Sequence, residues 1–188
     1  DYIDSFEKNS AVLIVHNLGN IVNISRLKRL RPDLIFIEDN CEGIFGSYEE
    51  HNTSSCKDVL CSSVSFYGNK TVTTGEGGAF FTNDEEVYMY ITKIYSHAMT
   101  EKKYIHDNIG YNYRMTNVAA GLLYDQLKDL NNILQNKRRV FKTYLNNLKE
   151  IKGIILPFTE KNTVRSFWMF FLIFENKKYT DAEKYLLE

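Results

Sequence analysis

The sequence predicts an α/β fold with a mostly parallel sheet flanked by helices. Two observations support this prediction. Short apolar runs of strand length alternate with longer segments of helical periodicity. The composition, with 188 residues of which 44% are hydrophobic and 25% charged, is that of a globular chain large enough to bury a core.

The first three elements form a strand, helix and strand in sequence. Ala11–Val15 (AVLIV) is a continuous apolar run, which predicts a strand buried on both faces. The segment Ile24–Leu30 predicts a short helix with Asn23 as its N-cap, and Pro32 ends it. A second apolar run at 34–37 (LIFI) predicts another buried strand. We expect this unit to cross over right-handed into a parallel sheet.

The rest of the chain continues the alternation, with a polar and aromatic loop at 97–115. The patterns predict strands at 64–67, 79–82 and 167–174, and helices at 84–96 (capped by Asn83), 117–127, Leu130–Leu148 and 180–188. The chain begins with Asp1 and ends inside the last of these helices. We therefore expect it to be an interior piece of a larger protein.

Composition disfavours several classes of partner. A net charge of −1 gives no electrostatic reason to expect nucleic acid or an anionic membrane surface. The 13 Tyr and 12 Phe lack a basic stripe around them, so packing is a better interpretation than base stacking. Cys41, Cys56 and Cys61 have no CxxC spacing, which favours reduced thiols in a cytoplasmic protein over a metal site.

The string SFYGNK at 65–70 carries the clearest chemical signal. A strand delivers Lys70 into a glycine-rich turn, TVTTGEGG at 71–78, and Asp39 follows the strand at 34–37. Ligands of α/β sheets bind at the carboxyl ends of the strands, where both residues are expected. Lysine is the side chain that forms Schiff bases with carbonyl compounds, although a lysine in a turn can also be a solvated surface charge.

The glycines themselves fit neither common phosphate-binding motif. Asn69 separates Gly68 from Lys70 and residue 63 is not glycine, so the GxxxxGK[ST] pattern fails. The GxGxxG pattern fails because the glycines precede a strand instead of opening a helix. A hairpin turn and a functional loop both remain open for this stretch.

Three strings together resemble one protein family. FIEDNCEGIFGSYE at 36–49, SFYGNKTVTTGEGGAFFTND at 65–84 and GYNYRMTNVAAGLLYDQL at 110–127 are similar to the DegT/DnrJ/EryC1/StrS family of sugar aminotransferases. The resemblance implies the fold type I of pyridoxal-5′-phosphate-dependent transferases. It further implies that residues 1–128 form the C-terminal part of the large cofactor-binding domain, and that 129–188 form a connecting helix and the beginning of a smaller, truncated α+β domain.

The resemblance also implies roles for individual residues. Lys70 matches the lysine that binds the cofactor covalently, and Asp39 the aspartate that pairs with its pyridinium nitrogen. Glu42 matches a position beside the cofactor ring, and Ser65 a hydroxyl that binds its phosphate. Asn112 matches an asparagine that reaches the phosphate from a partner subunit, which implies a homodimer with shared sites. The structural alternatives are a strand-end cap or an ion pair for Asp39, an ordinary strand serine for Ser65 and an Asx-turn for Asn112.

The function implied is transfer of an amino group from an amino acid, with glutamate as the expected donor, to a nucleotide-linked keto-deoxysugar. Some relatives replace the lysine by histidine and remove a hydroxyl group instead, so Lys70 favours transamination. His16 matches a family position, but a hydrogen-bonded structural histidine is the preferred interpretation, and the role of Arg114 stays open. The alternatives are a non-catalytic assembly fragment and another fold-type-I chemistry, such as that of a lyase or racemase.

Overall fold

The computed structural model describes residues 2–175, which form three small sheets and four α-helices. The strands are β1 Ala11–Val15, β2 Ile35–Asp39, β3 Ser47–Tyr48, β4 His51–Asn52, β5 Cys61–Ser65, β6 Gly78–Phe81, β7 Ile154–Ile155, β8 Thr163–Val164 and β9 Ile173–Phe174. The helices are α1 Ile24–Leu30, α2 Glu85–Ile94, α3 Asn117–Lys128 and α4 Leu130–Leu148, and two 3₁₀ turns lie at Tyr2–Ser5 and Asn17–Gly19.

The main sheet has four strands in the order β1-β2-β5-β6. β1, β2 and β5 run parallel, with Val15 opposite Asp39 and Asp39 opposite Ser63. β6 returns antiparallel to β5 through the glycine-rich turn, with Ser65 opposite Gly78. The predicted α/β class and the mostly parallel sheet are therefore confirmed.

Two helices have the predicted bounds. α1 covers Ile24–Leu30, and the Asn23 side chain accepts a hydrogen bond from the Arg26 amide, which is the predicted N-cap. α4 covers Leu130–Leu148, and Phe141 is its buried residue. No helix within residues 2–175 has both the length and the apolar character needed to cross a membrane.

Several predicted boundaries are wrong by a few residues. The strand predicted at 64–67 lies at Cys61–Ser65, and the helix predicted at 84–96 ends at Ile94. Its N-cap is Asp84, whose carboxylate accepts from the Val87 amide, and not Asn83. Asn83 instead donates its side-chain amide to the Ser55 and Cys56 carbonyls. Either residue type can cap a helix, and this tertiary contact leaves the role to Asp84.

The strand predicted at 167–174 is also wrong, because only Ile173–Phe174 pairs, with β7. The aromatic side chains before it pack on α4 instead. The Phe141 ring meets the Phe167 and Phe170 rings edge-on, with centroids 5.3 and 5.0 Å apart. An aromatic-rich run has high β-propensity, but here ring packing on a helix decides its conformation. The helix predicted at 180–188 lies outside the described residues.

β1 is not buried on both faces within the described residues, contrary to the prediction. It is an edge strand of the sheet, and its side chains alternate. Val12 is buried and Ile14 packs against the same core, while Leu13 and Val15 are 60% and 45% exposed. An apolar run alone does not distinguish one-sided from two-sided burial.

Two buried clusters lie on the main sheet and its flanking helices. The first joins β1, β2 and α1 through Val12, Phe36 and Ile24. The second contains Val64, Phe66 and Val72, and Leu123, Leu130 and Ile133 of α3 and α4 pack against it. Because Phe66 and Val72 flank Lys70 in sequence, the second cluster fixes both ends of the loop that carries the lysine.

Candidate active site

The candidate site lies where β2 and β5 end. Parallel pairing places Asp39 opposite Ser63, so Ser65, two residues further along β5, lies at the same edge of the sheet. The Asp39 carboxylate accepts a hydrogen bond of 3.1 Å from the Cys41 amide. The structure therefore brings Asp39 and Ser65 to the neighbouring carboxyl ends that the sequence predicts.

The loop that carries Lys70 is held by hydrogen bonds at both ends. At its start, Ser65 Oγ accepts from the Tyr67 amide at 3.2 Å, and the Lys70 amide donates to the Tyr67 carbonyl at 3.0 Å. Beyond the lysine, Gln126 of α3 accepts from the Thr73 amide at 2.9 Å and donates to the Thr73 carbonyl at 2.7 Å. Lys70 is thus carried on a loop fixed to a strand and to a helix.

The Lys70 side chain is only 11% exposed. Its Nζ lies 4.0 Å from Glu42 Oε1 and 4.1 Å from the centroid of the Trp168 ring. Glu42 is oriented by the Leu18 amide, which donates to Oε2 at 2.7 Å. An amine held between a carboxylate and an indole ring differs from a solvated surface lysine, whose side chain water surrounds.

The pKa of the Cys41 thiol depends on its burial and on the charges around it. Burial raises the pKa of its thiol to about 11, and the hydrogen bond and the negative charge of Asp39 act in the same direction. The positive charge of Lys70 acts in the opposite direction on the same pKa. The charges of both Asp39 and Lys70 therefore act on the Cys41 thiol.

His16 lies beside this cluster as a buried residue. Its Nδ1 accepts from the Val22 amide at 3.2 Å, and its Nε2 is 2.9 Å from Glu38 Oε1, both side chains being fully buried. Glu38 Oε2 in turn accepts from the Ser54 amide at 2.8 Å. Both ring nitrogens of His16 have partners, as the structural interpretation of this histidine requires.

Asn112 lies elsewhere in the chain. It forms an isolated antiparallel bridge with Ser96, and its side chain is exposed. The neighbouring Tyr111 and Tyr113 rings stack on each other, with centroids 4.9 Å apart, and Arg114 is also exposed. Within one chain, Asp39 and Ser65 lie at the ends of paired strands, and Glu42 lies beside Lys70. Asn112 lies on the surface.

A groove of about 830 Å³ lies between β6, α2 and the segment around Tyr111. Its walls are mostly apolar and aromatic, including Phe80, Tyr88 and Met115. Neither Lys70 nor Asp39 lines it. Amine and carboxylate chemistry therefore places the candidate site at the strand ends and not in this groove.

Two residues of the cluster were not identified from the sequence. Gln126 belongs to a predicted amphipathic helix, and nothing in its spacing indicates a contact with the Lys70 loop. Trp168 is the only tryptophan in the chain and stood in a segment predicted as a strand. Its rarity was a usable signal, but its contact with Lys70 depends on how the segment between β8 and β9 packs against the lysine loop.

Comparisons with known proteins agree with the predicted family. A sequence model of the DegT/DnrJ/EryC1/StrS aminotransferase family matches residues 5–188. GDP-perosamine synthase of Escherichia coli O157:H7 is 32% identical over 165 residues, which cover 86% of this chain and 44% of that protein. The chain spans about half the length of the curated relatives it matches.

Solved structures give the same fold. S. venezuelae DesV, solved in complex with a ketimine intermediate, matches with a TM-score of 0.79 and 26% identity over 93% of this chain and 48% of that one. E. coli GDP-4-keto-6-deoxy-D-mannose-3-dehydratase, solved with bound hydrated PLP, matches with a TM-score of 0.86 and 21% identity over 97% and 52%. These matches confirm the fold type I expected from the sequence.

Proposed function

Because this chain belongs to the DegT/DnrJ/EryC1/StrS aminotransferase family, we propose that it carries the reactive lysine of a pyridoxal-phosphate-dependent sugar aminotransferase. The substrate class is a nucleotide-linked keto-deoxysugar, and the amino donor is an amino acid, with glutamate as the expected donor. The observation that carries the proposal is the position of Lys70, shielded from water beside Glu42, at the sheet edge where Asp39 and Ser65 also lie.

The residues at this edge suit pyridoxal phosphate chemically. The cofactor needs an amine for its aldehyde carbon, a carboxylate for its ring nitrogen and donors for its phosphate. Lys70, Asp39 and Ser65 supply one of each. Ser65 Oγ accepts from the Tyr67 amide, so the hydrogen of its hydroxyl can be donated to a phosphate oxygen. When bound, pyridoxal phosphate supplies an aldehyde that condenses with amines and a ring that accepts electrons from the amine-bearing carbon.

Each residue of the chain then has a defined task. Lys70 would hold the cofactor through its Nζ and, as a free amine, would take up and return the proton of the amine-bearing carbon. Asp39 keeps the ring nitrogen protonated by accepting its hydrogen bond. Glu42 would hold the Lys70 Nζ in place whenever that nitrogen is not bonded to the cofactor. The donor amino acid leaves as a keto acid, and the sugar carbonyl becomes an amine.

We also propose a homodimer in which Asn112 of one subunit completes the phosphate site of the other. Its exposed position, next to the stacked tyrosines, supports a role at a subunit contact. A cytoplasmic location belongs to the same proposal, and the free thiols of Cys41, Cys56 and Cys61 support it.

The test is borohydride reduction of the complete protein with pyridoxal phosphate, followed by peptide mapping. We expect a pyridoxyl group on Lys70 and none in the Lys70→Arg variant. Lys128→Arg is the matched control, because Lys128 is an exposed lysine of α3, with 59% of its side chain accessible. Lys70→Arg should also lower the rate of amino transfer by a factor on the order of 100 to 10,000, the usual contribution of a proton-transfer group.

Two outcomes would contradict the proposal. If the folded protein carries no label on Lys70, the lysine does not bind the cofactor, and the assembly-fragment alternative takes precedence. If label is present but a keto-sugar nucleotide receives no amino group from any amino acid, the protein performs a different fold-type-I reaction, and products typical of a lyase or racemase should be found instead.

A further inference from the structure

We propose that Trp168 is a positioning residue for Lys70: its indole ring shields the Nζ from water and holds it facing Glu42. The identification of Lys70 as the reactive group rests on the proposed function. The contact itself rests on geometry. Trp168 lies on the segment that follows α4, far from Lys70 in sequence, so the tertiary fold brings the two together.

The ring and the carboxylate act on the same nitrogen. Lys70 Nζ is 4.1 Å from the Trp168 ring centroid and 4.0 Å from Glu42 Oε1. A protonated lysine is attracted to the face of an indole ring, and tryptophan gives the strongest attraction of this kind among the aromatic side chains. The two contacts limit the volume that Nζ can sample, which explains why this loop lysine has a side chain only 11% exposed.

The indole ring is held on the lysine loop by a hydrogen bond. Trp168 Nε1 donates to the Asn69 carbonyl at 2.9 Å. Asn69 directly precedes Lys70, so this bond fixes the ring relative to the backbone that carries the lysine. A ring retained only by apolar contact could turn away, whereas the directional N–H bond keeps one face toward Nζ.

The segment behind the ring is anchored at two further points. The Ser166 amide donates to the Gly19 carbonyl at 3.0 Å, and Ser166 is 3% exposed. Arg165, 2% exposed, lies against the rings of Phe141 and Phe171 and donates from Nη1 to the Phe158 carbonyl at 3.0 Å. The backbone that carries Trp168 is thereby fixed both to the loop before α1 and to α4.

The first test measures the shielding without cofactor. The complete protein is freed of pyridoxal phosphate and treated with a water-soluble amine-reactive reagent, and the modification rate of Lys70 is followed by peptide mapping. We expect Trp168→Met to accelerate modification of Lys70 about ten-fold, and Trp168→Phe, which keeps an aromatic face, by no more than about two-fold. Tyr90→Leu, at a side chain of α2 that is 56% exposed, should leave the rate unchanged.

The second test measures attachment of the cofactor. Trp168→Met should slow covalent attachment of pyridoxal phosphate at Lys70 about ten-fold, because a cofactor held at Asp39 and Ser65, unlike a freely diffusing reagent, needs Nζ in one fixed position. Trp168→Phe should rescue attachment, and the unfolding midpoint should be unchanged. Equal rates for the Met variant and the natural protein in both tests would overturn the proposal. A natural protein that never attaches the cofactor, yet still shows faster Lys70 modification in the Met variant, would refute the proposed function and leave the contact established.

A reciprocal measurement does not depend on the folding of Trp168→Met. The indole Nε1 resonance of Trp168, assigned by its loss in Trp168→Phe, is compared between the natural protein, Lys70→Met and Lys128→Met. We expect the resonance to move only in Lys70→Met, because only that change removes the cation from the ring face. An unmoved resonance in Lys70→Met would overturn the contact.

Discussion

At the scale of single residues, the candidate site contains charged side chains that differ in their exposure to water. Lys70 is nearly covered, Glu42 retains about a quarter of its side-chain surface at 26%, and the Asp39 carboxylate is tied to a backbone amide. Cys41 lies among them without a proposed chemical task. Its thiol is nevertheless a probe of the site, because its pKa depends on burial, Asp39 and Lys70.

The first prediction concerns this thiol. Its pKa of about 11, against an ordinary value of 9.0, leaves about a hundred-fold less thiolate at pH 8. Only the thiolate reacts with an alkylating reagent. We expect iodoacetamide to alkylate Cys41 in the folded protein about a hundred-fold more slowly than in the unfolded protein at pH 8. The rate should then rise with pH up to about pH 11. Peptide-resolved mass spectrometry gives the rate.

Asp39→Asn provides the specific variant for this measurement. Removing the carboxylate should lower the pKa of the Cys41 thiol and accelerate alkylation at pH 8, because one cause of the raised pKa is lost. Asp33→Asn is the control, since Asp33 pairs with Arg31 and is not among the groups that shift Cys41. Equal acceleration by both variants, or none by Asp39→Asn, would show that Asp39 does not face the thiol.

At the scale of elements, the site depends on a close crossing between two loops. The loop after β1 contains Gly19, with φ of +72°, and the segment that carries Trp168 passes directly over it. A Cβ on Gly19 would lie 2.2 Å from the Ser166 carbonyl oxygen, a distance at which the backbone must shift. Glycine is therefore required at this position for two reasons: the backbone is left-handed, and the Ser166 carbonyl lies too close for a side chain.

The second prediction compares two glycine substitutions. Gly153 has a similar φ of +83°, but a Cβ there would meet nothing within 4 Å. Gly153→Ala should therefore lower the free energy of unfolding by about 1 kcal/mol from backbone strain alone. Gly19→Ala should cost about 2 to 4 kcal/mol, because overpacking adds to the strain. Denaturant unfolding measures both values.

The same pair tests the link between this crossing and the lysine. Gly19→Ala displaces the segment that carries Trp168, so it should also speed modification of Lys70, whereas Gly153→Ala should not. Equal losses of stability in the two variants would mean that the two loops do not cross as closely as described.

At the scale of the whole molecule, the proposed division into two domains lies at the connection between α3 and α4. Asp129 is the only residue between α3 and α4 and flanks both. We propose that residues 1–128 belong to the large cofactor-binding domain and that 129–188 begin the small domain. Trp168 would then reach Lys70 from the small domain, and Asn112 would complete the site from a second subunit.

The third prediction tests the shared site by complementation. Lys70→Ala and Asn112→Ala homodimers should each be impaired. A mixed dimer contains one site with both natural residues and one with neither, so mixing equal amounts after dissociation should restore about a quarter of the natural activity. A site built from a single subunit gives no intact site in any mixed dimer. Activity no higher than that of the two separate variants would therefore contradict a shared site.

The sequence by itself determined the α/β class, the bounds and cap of α1 and the bounds of α4. These features are local, because periodicity, capping and strand length are encoded in neighbouring residues. The segments at 36–49, 65–84 and 110–127 also sufficed to predict the family. Lys70 and Asp39 were singled out because reactive side chains at predicted strand ends form a recognisable pattern, whereas Glu42 was proposed only from the family resemblance.

Only the tertiary structure decided which side chains meet. Burial of β1 on one face, ring packing instead of a strand at 167–170, and the contacts of Gln126 and Trp168 with the lysine loop join residues distant in sequence. Such contacts depend on how helices and loops fold back onto the sheet, and no local pattern specifies that. Lys70 could be proposed as the reactive lysine from the sequence, but the contacts of Trp168 and Gln126 with Lys70 and its loop could not.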